Sequence, residues 1–341
     1  MDQLFVVKEN DLILNITFAW EGAIAIVKKE DDGGLVSHRF PTYVFNKDVT
    51  EADFFKNIFV QGRFRYLLKV ISPGGAGRNR VLDKKAFLKL SVRLPSREEQ
   101  QKIAAFLTAV DEKIGQLAKK KELLEKYKKG VMQKIFAQEI RFKDDNGNDF
   151  PEWEMLRIGD FTQVTAGATP STLKSEFWGG DIRWMNSGEL NLKRVNEVEH
   201  RITDLGLASA STRMLPKFCI LIGLAGQGKT RGTVAINMIE LCTNQSIGAI
   251  HPNRARFVAD FLYHNLDFRY DELRSLSTGD GGRGGLNLQI IRSLKVNLPS
   301  VPEQKKIADF LSAIDEKIDL VNQQLEKTKT FKKGLLQQMF V

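Results

Sequence analysis

The chain has 341 residues, of which 51 are Lys or Arg and 42 Asp or Glu, for a formal net charge of +9. With 42% hydrophobic residues it is a folded protein long enough for two or more domains with real cores, and its excess of base favours a polyanionic partner, most often nucleic acid. No run approaches the ~20 apolar residues of a membrane span, the start MDQLFVVKENDLILNI has acidic residues where a signal peptide carries Lys or Arg, and two cysteines cannot form a disulfide framework, so a cytoplasmic location with no membrane contact is expected.

In chain order, residues 1–93 read as a mixed globular part, with short apolar runs at Asp11–Leu14 and Gly22–Ile26 and a Gly/Arg loop beginning at Gly74. Residues 94–140 read as one long helix. Pro95 and Ser96, like Pro299 and Ser300 at the second long helix, give a stop followed by an N-cap, with Glu99 and Glu303 three residues after the serines. Apolar residues then recur at alternating steps of four and three: Ile103, Leu107, Val110, Ile114 and Leu117, then Leu124, Val131 and Ile135. That is a heptad seam. Residues 141–150 form a polar, Gly-bearing linker. Residues 151–297 form a second, larger globular part, and residues 298–341 a second long helix with a seam at Ile307, Leu311, Ile314, Ile318, Val321, Leu325, Leu335 and Met339.

The two helices are copies. Residues 94–136 and 298–340 align without a gap at an offset of 204, and roughly half the positions are identical. LPS, EQ, DEKI and KKG recur in both, which indicates an internal duplication. A helix of ~40 residues is ~60 Å long and cannot bury its seam alone, so the two copies are expected to pack on each other. The duplication extends more weakly into the globular parts. Ala52-Asp53-Phe54-Phe55 matches Ala259-Asp260-Phe261-Leu262, residues 11–14 match 219–222, and residues 22–26 match 232–236. The stretch from Pro151 to about Ala208 has no partner, so the first domain is read as lacking its beginning.

The FPEWE…IGDF opening of the second globular part, the LPS…EQxKIAxFLxAxDEKI helix starts and the KKG…QxxF helix ends resemble the specificity subunit of type I restriction–modification enzymes, over essentially the whole chain. The resemblance implies an α+β fold. Two mixed α/β target-recognition domains, the first partial, are separated by two long antiparallel coiled-coil helices. It implies that each domain reads one half of a bipartite target in double-stranded DNA, that the helices set the spacing, and that methyltransferase (modification) subunits dock on them. It also implies a restriction/translocase subunit in the complex. The chain itself would be non-catalytic, with S-adenosylmethionine, ATP and Mg expected in partner subunits and no cofactor here.

A competing motif is GLAGQGKT (223–230), which fits the phosphate-loop pattern G-x-x-x-x-G-K-[ST]. A true phosphate loop opens a helix, whereas Arg231-Gly232-Thr233-Val234-Ala235-Ile236 reads as a strand. The favoured reading is a Gly-rich hairpin loop carrying Gln227, Lys229, Thr230 and Arg231 toward DNA phosphates or base edges. A solvated turn without DNA contact and a P-loop nucleotide hydrolase with a coiled-coil arm are the alternatives. A DNA-free coiled-coil scaffold is a third. Further DNA-contact candidates are Lys174, with Thr169 and Ser171, in a polar loop, Arg183 and Asn186 in DIRWMNSGEL, Arg283 in a second Gly-rich loop, and Arg78 and Arg80 in the similar loop of the first domain. Trp178 and Trp184 read as core. Catalytic carboxylates must converge on a metal from separate elements, whereas the Asp111-Glu112-Lys113 and Asp315-Glu316-Lys317 triplets each lie on one long helix, whose polar face is expected to be charged. The four histidines and two cysteines are too scattered for a metal site.

Overall fold

The computed structural model describes residues 4–74, 80–226, 229–276 and 285–340. Its contacts divide into two compact units, Met1–Lys121 with Val321–Val341 and Glu122–Leu320. Each long helix therefore contributes to both units.

The first unit begins with β1 (Leu4–Val6), β2 (Leu12–Leu14), β3 (Ile24–Ile26), β4 (Leu35–Ser37) and β5 (Thr42–Tyr43), followed by α1 (Ala52–Phe59), α2 (Gly62–Val70), α3 (Lys84–Phe87) and the long α4 (Arg97–Phe136). β1 and β4 form a ribbon, and a three-stranded antiparallel sheet has the order β3-β2-β5. Its core joins Leu12, Leu14 and Ile26 to Phe54, Phe55, Ile58 and Phe59 from α1 and to Ala104 of α4, with Phe340 packed against it.

The second unit runs β6 (Glu154–Arg157), α5 (Ile158–Phe161), β7 (Val164–Ala166), β8 (Trp178–Met185), β9 (Arg194–Val195), β10 (His200–Ile202), α6 (Asp204–Ser209), β11 (Ile220–Gly223), β12 (Val234–Asn237), β13 (Cys242–Thr243), β14 (Ile247–Ile250), α7 (Ala259–Phe268), α8 (Tyr270–Ser275), α9 (Leu288–Ser293), β15 (Lys295–Leu298) and α10 (Val301–Met339). A five-stranded sheet, β7-β14-β11-β12-β9, stands beside a three-stranded β10-β8-β13 sheet and a β15-β6 pair. The strands β11, β12 and β14 are buried on both faces, as their continuous apolar runs require. Ile220, Ile222, Val234 and Ile236 meet α7 and the helix seams on one side. Leu221, Ala235, Ile247 and Ala249 meet Met185, Leu190 and Val195 on the other.

The duplication is visible residue by residue. Leu12 pairs with Ile26 and Leu14 with Ile24 in the first unit; the counterparts Ile220 with Ile236 and Ile222 with Val234 pair in the second. β5 flanks β2 as β14 flanks β11. The second sheet's outer strands, β7 and β9, come from the stretch that has no partner in the first copy. The repeated EQ glutamine makes the same connections twice. Gln100 is buried, donates to the Val49 and Pro95 carbonyls at 3.0 and 2.9 Å and accepts from the Glu51 amide. Gln304 donates to the Arg256 and Pro299 carbonyls at 3.1 and 2.8 Å and accepts from the Val258 amide. Each glutamine thus ties a long helix to the loop ahead of α1 or α7. Without it, three backbone groups lose their partner.

The helices run antiparallel. In the first unit Lys332 Nζ holds both Asp111 carboxylate oxygens at 2.6 Å, and Lys121 reaches Asn322 at 2.7 Å, one helix counting up as the other counts down. In the second unit Lys128 Nζ meets Asp315 Oδ1 at 2.5 Å. These ion pairs are copies of one another: the aspartate of DEKI on one helix binds the first lysine of KKG on the other. The DEK triplet therefore belongs to helix pairing. Among the seam residues, Leu107, Val110, Leu117, Ile307, Leu311, Ile314 and Val321 are buried, and Ile103, Ile114 and Ile318 are half-buried. Each fully buried aliphatic side chain contributes ~1.5–3 kcal/mol. Ile307, Leu311 and Ile314 do more than line a coiled coil, because they enter the core beneath the five-stranded sheet. Met339 is a correction: it is exposed, and Phe340 turns in instead, 5.2 Å from Phe54, just as Phe136 packs on Phe261.

The Lys128–Asp315 pair sits in drier surroundings than its copy. Asp315 is 24% exposed against 52% for Asp111. Burial raises the Asp315 carboxyl, opposed by Lys128. His264 is wholly buried beside it, with burial and the charges of Lys128 and Arg194 pushing its imidazole down to about 2, so it stays neutral. Unequal costs follow. Lys128→Ala strands a half-dry carboxylate and should lower stability by ~1–3 kcal/mol, whereas Lys332→Ala breaks a solvated pair and should cost under ~1 kcal/mol. Thermal unfolding of the two variants side by side checks this order.

Candidate nucleic-acid interface

The hairpin between β11 and β12 decides between phosphate loop and DNA-facing turn. The two strands are antiparallel neighbours, and no helix follows Thr230; the chain turns at Arg231-Gly232 and enters β12. Gly223, the motif's first glycine, lies inside the sheet, where an added Cβ would overlap the Thr230 carbonyl oxygen. Its amide donates to the Thr233 carbonyl and its carbonyl accepts from the Gly232 amide, both at 2.9 Å. Gly232 has φ +79 beside the backbone of α8, a conformation that excludes a side chain at little cost only for glycine. The Lys229 carbonyl accepts from the Thr233 hydroxyl at 2.6 Å and the Tyr270 hydroxyl at 3.1 Å. The backbone of this loop is thus engaged by its own strands and by α8, and it offers no helix N-terminus to a nucleotide. The glycines serve a tight hairpin, and the P-loop reading falls.

Lys229 is exposed and Thr230 half-buried at the hairpin tip. Arg231 is a correction: it is 9% exposed, so its side chain is buried where a DNA-facing cation was expected. Gln227 lies outside the described residues, as do Arg78 and Arg283. Arg80 is half-buried, its guanidinium 5.4 Å from the Trp20 ring centre, a cation–π contact.

The β10-β8-β13 sheet gathers other candidates. Arg183 on β8 and Arg201 on β10 are register partners, and both reach Glu197 Oε1, at 3.4 and 2.8 Å. The Val198 amide, then these arginines, hold the Glu197 carboxyl below the usual range. Two guanidiniums share one carboxylate. Trp184 is buried, edge-on to Trp178 at 5.0 Å and stacked on His200 at 6.1 Å. Both indole N–H groups donate to carbonyls of the 168–171 loop, which fixes that loop to the sheet. Lys174 is exposed just beyond it, over the Phe177 ring at 5.1 Å, and Thr169 donates to Gln245 at 2.6 Å. Asn186 is engaged as a cap, its Oδ1 accepting from the Gly188 amide at 2.8 Å while Glu189 accepts from the Asn186 amide at 2.9 Å. Of these candidates Lys174, Arg183 and Lys229 face solvent, and the half-buried Arg201 stands beside Arg183 on the sheet.

Sequence reasoning missed a polar cleft of about 460 Å³ lined by Gln163, Thr165, Ser211, Arg213 and Arg292 among others. Its wall donors come from three separated stretches, so no local motif announces it. Arg292 donates to the Val164 carbonyl at 2.9 Å. His251 bonds Thr165 at 2.9 Å, and burial, then Arg213, lowers its imidazole. It missed, too, the anchor of the linker. Glu303 is not turned back toward Ser300 as a capping residue. It is fully buried, accepting from Arg141 at 3.1 and 3.0 Å and from the Trp153 indole at 3.1 Å.

Among the described residues no group of three His, Cys, Asp or Glu side chains could hold a metal ion, and no helix is long and apolar enough to cross a membrane. Burial pushes the Cys219 and Cys242 thiols up to about 12 and about 11, far from the reactive thiolate range.

Residues 3–126 and 151–330 match the family model described as the type I restriction modification DNA specificity domain. The chain belongs to this family. Among curated relatives of the type I specificity family, it is 30% identical over 212 residues to the type I restriction enzyme MjaIX specificity subunit of Methanocaldococcus jannaschii, covering 60% of this chain and 48% of that one. It is 25% identical to the MjaVIII specificity subunit of the same organism, over 97% of this chain and 78% of that one. The chain spans about half the length of the first relatives it matches, 48% and 57%. The crystal structure of a type I restriction–modification system S subunit from M. genitalium shares the fold at TM-score 0.64 and 16% identity, covering all of this chain and 85% of that one.

Lys229→Ala checks the hairpin reading of the GKT motif. The purified chain should show no ATP turnover above a protein-free control, and the substitution should change nothing. Hydrolysis that disappears in the variant would restore the phosphate loop.

Proposed function

We propose that this chain is the DNA-specificity subunit of a type I restriction–modification complex. The observation that carries the reading is the doubling itself: the same strand register, the same glutamine staple and the same aspartate–lysine pair occur twice in a chain matched along most of its length by the specificity-domain family. Two similar readers on a common rigid element suit a target of two half-sites at fixed separation.

In this reading, each unit reads one half-site in double-stranded DNA. Lys174 and Lys229 supply phosphate contacts that orient the second reader, and Arg183 with Arg201 stands at an edge where a guanidinium can address guanine. Arg80 and the loops at Gln227, Arg78 and Arg283 are further contact candidates. The paired helices set the spacer and offer their solvent faces to the methyltransferase subunits, with a restriction/translocase subunit completing the complex. The chain does no bond chemistry. Partner subunits carry S-adenosylmethionine, ATP and Mg, and the complex works in the cytoplasm.

Methylome sequencing of the host with and without this gene tests the proposal. One bipartite methylation motif, with two half-sites at a fixed separation, should vanish on deletion and return on complementation. An unchanged methylome in a host whose modification subunit is expressed would refute it.

A further inference from the structure

The polar cleft of about 460 Å³ beside β7 is built from three stretches of the second unit. Residues of α5 and β7 form one side, Ser211 and Arg213 a second, and Leu288 and Arg292 of α9 a third. Among the described residues no aspartate or glutamate lines it. The Arg213 guanidinium is exposed and makes no hydrogen bond or ion pair among the described residues. Arg292 Nη2 donates to the Val164 carbonyl at 2.9 Å, which fixes that guanidinium at the wall, and no carboxylate pairs with it among the described residues. The side chains of Gln163 and Ser211 are exposed and equally unpartnered there.

The wall behind these donors is held in place. The His251 amide donates to the Gln163 carbonyl at 2.9 Å, the Thr162 hydroxyl donates to the His251 carbonyl at 2.6 Å, and His251 Nε2 bonds the Thr165 hydroxyl at 2.9 Å. Burial, then the charge of Arg213, lowers the His251 imidazole, and an anion seated beside Arg213 would remove the second cause. The donor set also selects the anion. One guanidinium fork satisfies a planar carboxylate. Two guanidiniums from separate elements, with a hydroxyl and an amide, suit the spread oxygens of a tetrahedral phosphate. The cleft is larger than one ion, so a phosphate carried on a sugar fits. It is not part of the duplicated scaffold, because the counterpart of Arg292 at the offset of 204 is Leu88.

We propose that this cleft is a phosphate-binding site, with Arg213 and Arg292 as its cationic ligands and Ser211 and Gln163 as supporting donors. The phosphate comes from a DNA backbone or free from solution. β7 leads directly into the loop that bears Lys174, itself a phosphate-contact candidate, which favours DNA. That source rests on the DNA-specificity reading; the phosphate site does not.

The test titrates the full chain with inorganic phosphate at constant ionic strength and follows the imidazole Cε1–H signals by NMR. The chain has four histidines, and the signal lost in His251→Gln identifies the reporter. Saturable movement of the His251 signal is expected at about millimolar phosphate, with acetate leaving it in place. Arg213→Gln should weaken phosphate about ten-fold, and Arg213→Lys should fall between. Arg213 is exposed, so both variants fold. Lys217→Gln, which removes an exposed charge outside the cleft, should change nothing. No saturable movement, an equal response to acetate, or equal weakening by Lys217→Gln would overturn the proposal. A duplex DNA titration then identifies the source. If DNA supplies the phosphate, the duplex displaces inorganic phosphate from the His251 reporter, and Arg213→Gln lowers the slope of log affinity against log salt by about one. A duplex that binds without displacing phosphate assigns the site to free phosphate. A duplex that does not bind counts against the DNA-specificity reading alone, and the phosphate titration still decides the site.

Discussion

A long amphipathic helix standing alone wets its apolar stripe along its whole length, a loss that no local propensity offsets. That constraint shapes this protein. α4 and α10 solve it with each other's sequence, because one ancestral helix, duplicated, meets its own copy head to tail. Self-complementarity then follows from two short motifs. The aspartate of DEKI finds the lysine of KKG on the opposite helix, and the same pairing recurs with roles exchanged. Inside each unit the seam continues directly into a sheet core, so helix register and reader orientation are mechanically linked there. The buried Gln100 and Gln304 complete that linkage, since each spans from a helix start to the loop ahead of α1 or α7.

The same symmetry explains which polar groups are costly. Lys128, Asp315, neutral His264 and Ser312 form a polar cluster where α10 meets α7 and α4. Arg194 joins it through Ser312 and through Asp260 at 2.6 Å. Such a cluster adds little net stability over an apolar one. It penalises any shift in register, because a slipped helix would leave several of these groups dry and unpaired.

The helices, the strand pairs at residues 12–26 and 220–236 and the antiparallel seam were legible in sequence because they rest on local periodicity and on an internal copy. The strand after Thr230 was legible too, from a β-branched run, and it removed a phosphate-loop motif that letters alone supported. What the sequence did not disclose depends on tertiary placement. Arg231 reads as a loop cation, yet its side chain is buried. Glu303 reads as a capping residue, yet Arg141 and Trp153 arrive from the linker and take it. Met339 fits the heptad, yet the seam ends in Phe340 on Phe54. The Arg213–Arg292 cleft draws on distant stretches, and only the folded chain brings them together.

In the proposed function the paired helices set the distance between two readers. Inserting one heptad into each helix, at matched points beside the Lys121–Asn322 contact, keeps the seam in phase and lengthens the pair by ~10 Å. Methylome sequencing of a host carrying that variant should show both half-sites unchanged and a spacer longer by ~3 base pairs, at ~3.4 Å each. The original spacer, or altered half-sites, would contradict the account.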